Sequence, residues 1–313
     1  MSLRAAIDVG TNSVRLLVTD GRAGAPIGGG GDFDRSLTIT RLGEGVDAAR
    51  ALQPEPVRRT IEAIARYASR ARELGVAGDR IRACATSAVR DAANRDEFLV
   101  AVRDAAGVTL ECISGDEEAR LSFAGAAASF EPRAPKLVVD IGGGSTEFVA
   151  GDTQVRAAIS VDAGSVRLTE RHVTADPPPA ADQAAVRAGA DAAVAAARAA
   201  VGAALRAMPG EPVLIGVAGT ITTAAAIALD LPGYDRDAIH RHVLARETVA
   251  AIRGRLASMT SAQRRTLPAM PPGREDVIVA GAILLEAAMD GFGFDAVTVS
   301  ETDILDGIAA SIS

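Results

Sequence analysis

The stretch KLVVDIGGGSTEFVAG, Lys136 to Gly151, constrains this chain more than any other. An apolar run, Leu137 to Val139, ends at Asp140; three glycines, two hydroxyl residues and Glu147 follow, and a second apolar run closes the stretch. That order predicts strand, tight turn, strand. Gly142, Gly143 and Gly144 have no Cβ, so their backbone N–H groups can close around an anion. Ser145 and Thr146 add hydroxyl donors. Asp140 and Glu147 bring hard oxygen ligands to the same turn, as a magnesium ion bound to phosphate requires. An ordinary glycine-rich hairpin needs the glycines but not the flanking carboxylates and hydroxyls. The stretch therefore reads as a phosphate-and-metal turn.

The same pattern opens the chain. Ala5 to Gly21, AAIDVGTNSVRLLVTDG, reads as a hairpin in which Asp8, Gly10 and Ser13 each stand 132 positions before Asp140, Gly142 and Ser145. A second pair agrees. RACATSAVRDAAN, from Arg82, and LIGVAGTITTAAA, from Leu214, each read as a strand turning into a helix, and Cys84 matches Val217 at an offset of 133. Two motif pairs at nearly one offset indicate an internal duplication with a period of about half the chain. With 313 residues, two α/β domains of ordinary size are expected.

Between the motifs, Gly28 to Asp47 reads as a flexible glycine loop, a strand and a polar turn. Pro54 to Gly75 is an amphipathic helix with Val57, Ile61, Ile64 and Ala68 at helical spacing. Phe98, Val102 and Ala105 mark another helix, followed by the strand VTLECI. Ser114, with Glu117 three residues on, predicts a capping box in which Glu117 folds back on the N-cap N–H. Glu118 points about 100° away around that helix. A first-turn glutamate can simply complement the helix dipole at the surface, and local chemistry leaves that reading open beside a functional one. AISVDAGSVRLTE reads as a strand and a turn carrying Ser165 and Arg167. Ala181 to Met208 is a long alanine-rich helix with its arginines on a solvated face. Arg274 and Glu275 precede a buried helix, and AVTVS and the turn ETDILDG lead to a short closing helix. The His240–Arg241–His242 spacing lacks a completing metal ligand nearby, so a solvated or capping role is expected.

The bulk numbers narrow the function. A net charge of −7 argues against a protein that coats nucleic acid or a membrane. Cys84 and Cys112 have no CxxC spacing and read as two free, buried thiols. Asp8 arrives before a signal-like apolar region can form, and Glu286 interrupts the run AGAILLEAAM. The expectation is a soluble cytoplasmic protein.

With IDVGTNSVRL, ATSAVRDAAN, SGDEEARL, VDIGGGSTEF, GVAGTITTAAA and GREDVIVAGA in one order, the chain resembles the exopolyphosphatase / guanosine pentaphosphate phosphohydrolase family of the actin-like ATPase superfamily. The resemblance implies two actin-like (ribonuclease-H-like) α/β domains around a central cleft: residues 1–125 rejoined by a closing helix at about 302–313, and residues 126–301. It implies magnesium-dependent removal of the terminal phosphate from inorganic polyphosphate, with guanosine penta- or tetraphosphate as a related ligand. Glu118 matches the family's catalytic glutamate, the base on the attacking water. Asp140 and Glu147 match the magnesium carboxylates. Gly10, Thr11, Asn12 and Ser13, then Gly142, Gly143, Gly144, Ser145 and Thr146, then Gly219 and Thr220 match the phosphate-holding turns. Arg90 matches an arginine lining the polyphosphate path, and Arg15 and Arg274 lie where relatives contact nucleotide or phosphate chain. Long relatives add a C-terminal helical domain, so their extended channel is not carried over. A homodimer is compatible with this reading. So is a sensor that binds polyphosphate or guanosine tetraphosphate without turnover; the joint presence of Glu118, Asp140 and Glu147 favours the enzyme, because a sensor needs no base.

Overall fold

The computed structural model describes residues 3–21 and 31–313, so the glycines at 28–30 that read as a flexible loop lie outside the described residues. The chain forms two compact units, Met1–Ser129 with Thr302–Ser313, and Phe130–Glu301.

The first unit is built on strands β1 (Arg4–Val9), β2 (Ser13–Thr19), β3 (Asp32–Ile39), β4 (Ile81–Ala85) and β5 (Leu110–Cys112) in the order β3-β2-β1-β4-β5. Its helices are α1 (Val46–Ala49), α2 (Pro54–Glu73), α3 (Ser87–Arg90), α4 (Arg95–Ala106) and α5 (Gly115–Ala127). Because successive strand residues point to opposite faces, Ala5, Ile7 and Val9 enter the core that also holds Ile64 and Ala68 of α2 and Phe98 and Val102 of α4. Ala6 faces the other way, into a core shared with Leu121, Ile304 and Ile308. The third residue on the buried face of α4 is Ala106 rather than the expected Ala105, since α4 keeps a four-residue step from Phe98. The C-terminal helix Ile304–Ala310 belongs to this unit and packs on α5 with backbones nearly touching. A Cβ on Gly125 would fall 1.7 Å from Asp303 O, and one on Gly307 would fall 1.9 Å from Leu121 O. Only glycine permits that approach.

The second unit contains β6 (Lys136–Ile141), β7 (Thr146–Gly151), β8 (Val155–Val161), α6 (Ser165–His172), α7 (Ala180–Ala207), β9 (Val213–Val217), α8 (Gly219–Ala228), α9 (Arg236–Ile239), β10 (Val243–Ala245), α10 (Arg246–Ser258), α11 (Ser261–Arg265), α12 (Ile278–Phe292) and β11 (Ala296–Val299). The sheet order is β10-β11-β9-β6-β7-β8. Read from the other edge, β8-β7-β6-β9 repeats β3-β2-β1-β4, with antiparallel pairing of the first three strands and parallel pairing of the fourth. The repeat holds to the residue. Asp8 pairs with Cys84 and Asp140 with Val217; Asp8 pairs with Arg15 and Asp140 with Glu147. Both sheets have the ribonuclease-H-like strand order.

Three local expectations change. Ser165 and Arg167 sit in the first turn of α6, not in a strand and turn, because the backbone after Gly164 is drawn into a helix against the glycine turn. Only half of the capping box forms: Ser114 Oγ accepts the Glu117 N–H, while the Glu117 carboxylate turns outward to Arg82 Nη2 at 2.6 Å. Arginine offers a charged donor, which outcompetes a neutral backbone N–H. Among the described residues, α7 alone is long and apolar enough to cross a membrane by length and composition. A search for unbroken apolar runs misses it because Asp182, Arg187, Asp191 and Arg198 interrupt the alanines. Val186, Ala190, Val194, Ala197, Val201 and Leu205 recur at helical spacing on its buried side and α7 packs on β7, β8 and α12. One face of it packs into the core of the second unit. Its Arg187 is not purely solvated, pairing with Asp191 and Asp290, each at 2.8 Å.

Cys84 is buried and Cys112 half-buried, both free; burial pushes the Cys84 thiol up to about 12. His240 has a capping role. Its Nδ1 accepts the Glu301 N–H at 3.2 Å, which needs that nitrogen unprotonated. Burial, with Arg241 and Arg236 beside it, lowers its pKa to about 4 against an ordinary 6.5. The unfolded chain therefore takes up the proton first, and stability present above pH 6.5 should be lost as pH falls towards about 4. His240→Gln keeps an acceptor that does not titrate. Thermal melts across that window should show a smaller acid-induced loss in the variant; equal losses would exclude His240 as a source.

Candidate active site

In the second unit, β6 and β7 meet at the glycine turn. Asp140 and Glu147 are direct cross-strand partners, so their Cβ atoms lie about 5 Å apart on one face of the sheet. Both side chains are buried. Glu147 Oε1 accepts from Ser145 Oγ at 2.8 Å and Ser160 Oγ at 2.7 Å, which fixes the carboxylate beside the turn. The Thr146 hydroxyl points the other way and donates to Ala163 O at 2.6 Å. Two buried carboxylates facing each other repel unless a cation joins them. Among the described residues no group of three or more His, Cys, Asp or Glu could hold a metal ion. A cation here would take two protein carboxylates and fill its shell with water or phosphate oxygens, which suits magnesium.

The matching positions of the first unit carry the opposite logic. Arg15 stands where the repeat would place Glu147, and donates to Asp8 Oδ2 through Nε at 3.0 Å and Nη2 at 2.8 Å. Its Nη1 donates to Asp303, which caps the C-terminal helix. Burial raises the Asp8 pKa against the pull of Arg15. Burial also acts on Asp303, but Arg15 and Arg35 outweigh it and hold that carboxyl below the ordinary range. The turn Gly10–Ser13 closes with Gly10 N on Ser13 O at 2.9 Å, as Gly142 N closes on Ser145 O at 3.1 Å. Thr11 Oγ1 hydrogen-bonds Ser87 Oγ at 2.9 Å, tying this turn to the β4–α3 turn. From α3, Arg90 Nη1 reaches Glu118 Oε2 at 2.9 Å and Ile113 O at 3.1 Å. Arg90 and Glu118 are thus brought together, and Glu118, at 7% exposure, is not a surface glutamate.

Gly219 and Thr220 begin α8, following Ala218 at φ 68°, ψ 172°. That conformation is strained for any residue with a Cβ, and such strain gathers at ligand-holding loops. Arg274 is buried and donates to Gly219 O at 2.9 Å and Thr223 Oγ1 at 2.8 Å, so it braces this turn from its carbonyl side. Its own loop is held by Glu275, whose carboxylate accepts from Gly273 N at 2.6 Å and from Arg265. The segment Gly164–Arg167 packs behind the glycine turn; the sequence reading picked out Ser165 and Arg167 but gave them no part in the site, because which loop packs behind the turn is a long-range matter that no local pattern carries.

The model of the Ppx/GppA phosphatase family matches residues 32–312. The chain belongs to that family. Among Ppx/GppA relatives, Exopolyphosphatase 2 of Mycobacterium tuberculosis is 43% identical, with 99% of this chain and 98% of that protein covered. A crystal structure of an exopolyphosphatase-like protein is 38% identical with a TM-score of 0.87, covering 99% of this chain and 98% of the other. That of the Aquifex aeolicus Ppx/GppA family member is 29% identical with a TM-score of 0.78, covering 99% and 97%. The glycine turn and its carboxylate pair are accordingly features of a Ppx/GppA-family phosphatase.

Proposed function

We propose that this phosphatase is an exopolyphosphatase: water attacks the terminal phosphoryl group of inorganic polyphosphate, releasing phosphate and a chain one unit shorter, with magnesium as the divalent cation. The observation that carries the reading is the buried Asp140–Glu147 pair at a glycine turn in a chain 43% identical to a protein named exopolyphosphatase. Phosphoryl transfer depends on positioning and charge neutralisation more than on covalent chemistry. In the second unit, the backbone N–H groups of Gly143, Gly144 and Ser145 would hold phosphate oxygens, and the Gly219–Thr220 turn offers further donors; in the first unit, the Gly10–Ser13 turn is built on the same pattern. A bound divalent cation would neutralise developing charge on those oxygens, and Asp140 and Glu147 would hold it. Glu118 would take the proton of the attacking water at its carboxylate, oriented by Arg90. Arg274 acts here through the turn it braces, and Arg15 by holding Asp8 and Asp303.

Phosphate release from long-chain polyphosphate, tripolyphosphate and guanosine pentaphosphate, assayed with magnesium, tests the proposal. Binding without release from any of them would make the chain a sensor. Asp140→Asn should keep the fold, because the glycines still shape the turn, yet raise the magnesium concentration for half-maximal activity about tenfold or more, as one anionic ligand is lost. An unchanged magnesium requirement at normal thermal stability would remove Asp140 from the cation site.

A further inference from the structure

The glycine turn is shaped from behind by the start of α6. Ser165 N donates to Gly142 O at 2.9 Å, and Val166 N and Arg167 N donate to Gly143 O at 2.9 and 3.1 Å. Arg167 Nε donates to Gly144 O at 2.6 Å. The approach is close enough that a Cβ on Gly164 would lie 2.4 Å from Gly143 O. All three glycine carbonyls therefore point at α6. A trans peptide is planar, with its C=O and N–H on opposite sides. Turning the carbonyls of Gly142, Gly143 and Gly144 inward thus turns the N–H groups of Gly143, Gly144 and Ser145 outward. Those three N–H groups have no partner among the described residues.

The first repeat supplies an internal comparison. Thr11 and Asn12 occupy the positions of Gly143 and Gly144 at the 132-residue offset. There Thr11 O accepts from Gly43 N at 2.8 Å, and Asn12 O accepts from Thr40 N and Arg41 N, both at 3.0 Å. Main chain alone braces both carbonyls. In the second repeat, a side chain braces Gly144 O, and it is the 6%-exposed Arg167.

We infer that Arg167 is a positioning residue: its Nε locks the Gly144–Ser145 peptide so that the Ser145 N–H faces bound phosphate. The inference rests on the reading of this turn as a phosphate nest. It is tested by calorimetric titration of tripolyphosphate with magnesium in a Glu118→Gln background, which suppresses turnover. Arg167→Met removes the donor; Arg167→Lys keeps the charge but cannot place a donor where Nε sits. Both should raise Kd about tenfold or more, since the nest loses one fixed N–H. Lys136→Met, a buried change at the far end of β6, controls for stability and should leave Kd within about twofold. All titrations are run below the unfolding range of each variant, and if Arg167→Met does not fold, Arg167→Lys decides. Parent-like affinity in Arg167→Lys would overturn the inference, because charge rather than position would then matter. Equal losses in Lys136→Met and the Arg167 variants would overturn it as a stability effect. Wild-type phosphate release is measured separately. Its absence together with the affinity loss would overturn the hydrolase reading and support the positioning role; its presence with unchanged affinity would do the reverse.

Discussion

Glu118→Gln is expected to lower phosphate release from polyphosphate by roughly 10²–10⁴, the usual worth of a general base. Glutamine is nearly isosteric and can still accept from Arg90 Nη1, which lies 2.9 Å from Glu118 Oε2, so the start of α5 should not move. Tripolyphosphate affinity should survive, because the phosphate donors lie in other turns. Glu117→Gln is the control. That side chain is 45% exposed and meets Arg82, which keeps a second partner in Glu111; exposed pairs contribute little. Its loss should cost below about 1 kcal/mol in a thermal or urea melt and leave turnover near normal. Phosphate release under saturating substrate decides the matter. Comparable rates for wild type and Glu118→Gln would end the general-base assignment, and loss of activity in Glu117→Gln alone would mean the roles are exchanged.

Lys136→Met is expected to destabilise the second unit by about 3 kcal/mol, the scale on which buried acceptors lose a charged donor. Lys136 is the sole lysine in a chain with 33 Lys and Arg residues, and it is 1% exposed. Among the described residues, its ammonium meets carbonyls rather than a carboxylate. Nζ donates to Glu131 O, to Ala134 O at 2.7 Å and to Pro132 O at 3.2 Å, with Asp152 O at 3.5 Å. Carbonyls from one tight segment converge on a point, which a compact tetrahedral ammonium satisfies and a planar guanidinium does not. Burial lowers the Lys136 pKa, yet the carbonyl cage is built for the charged form. Methionine fills the space but leaves those carbonyls without hydrogen. Urea unfolding followed by a probe in the second unit measures the loss; a change below about 1 kcal/mol would show that the cage relaxes or takes up water. Lys136→Arg should fall on the same side, since the longer planar head cannot enter the cage.

The motifs visible in the sequence were those whose physics is local. Glycines and flanking strands are enough to make a hairpin turn, so the turns at Gly10–Ser13 and Gly142–Ser145 were legible, as was the Ser114 N-cap. The offsets of 132 and 133 were legible too, and they correspond to strand register: Asp8 beside Cys84, Asp140 beside Val217. Register is set by side-chain alternation along each strand, so a duplicated pattern carries its pairing with it. Where a side chain had a stronger partner elsewhere, local rules failed. Glu117 left its capping box for Arg82, a residue 35 positions away.

The sequence by itself determined the class of fold, its repetition and the chemistry of the central turn, because hairpin geometry, helix caps and strand alternation act over a few bonds. Only the tertiary structure decided who meets whom. Arg90 finds Glu118 across 28 positions, Arg15 finds Asp303 across 288, and Arg167 rather than any other arginine reaches Gly144 O. With 33 basic and 40 acidic residues, every such pairing has many equivalents on paper. The choice among them is made by how helices pack on sheets, since a charge is worth far more in a buried, fixed geometry than at the solvated surface.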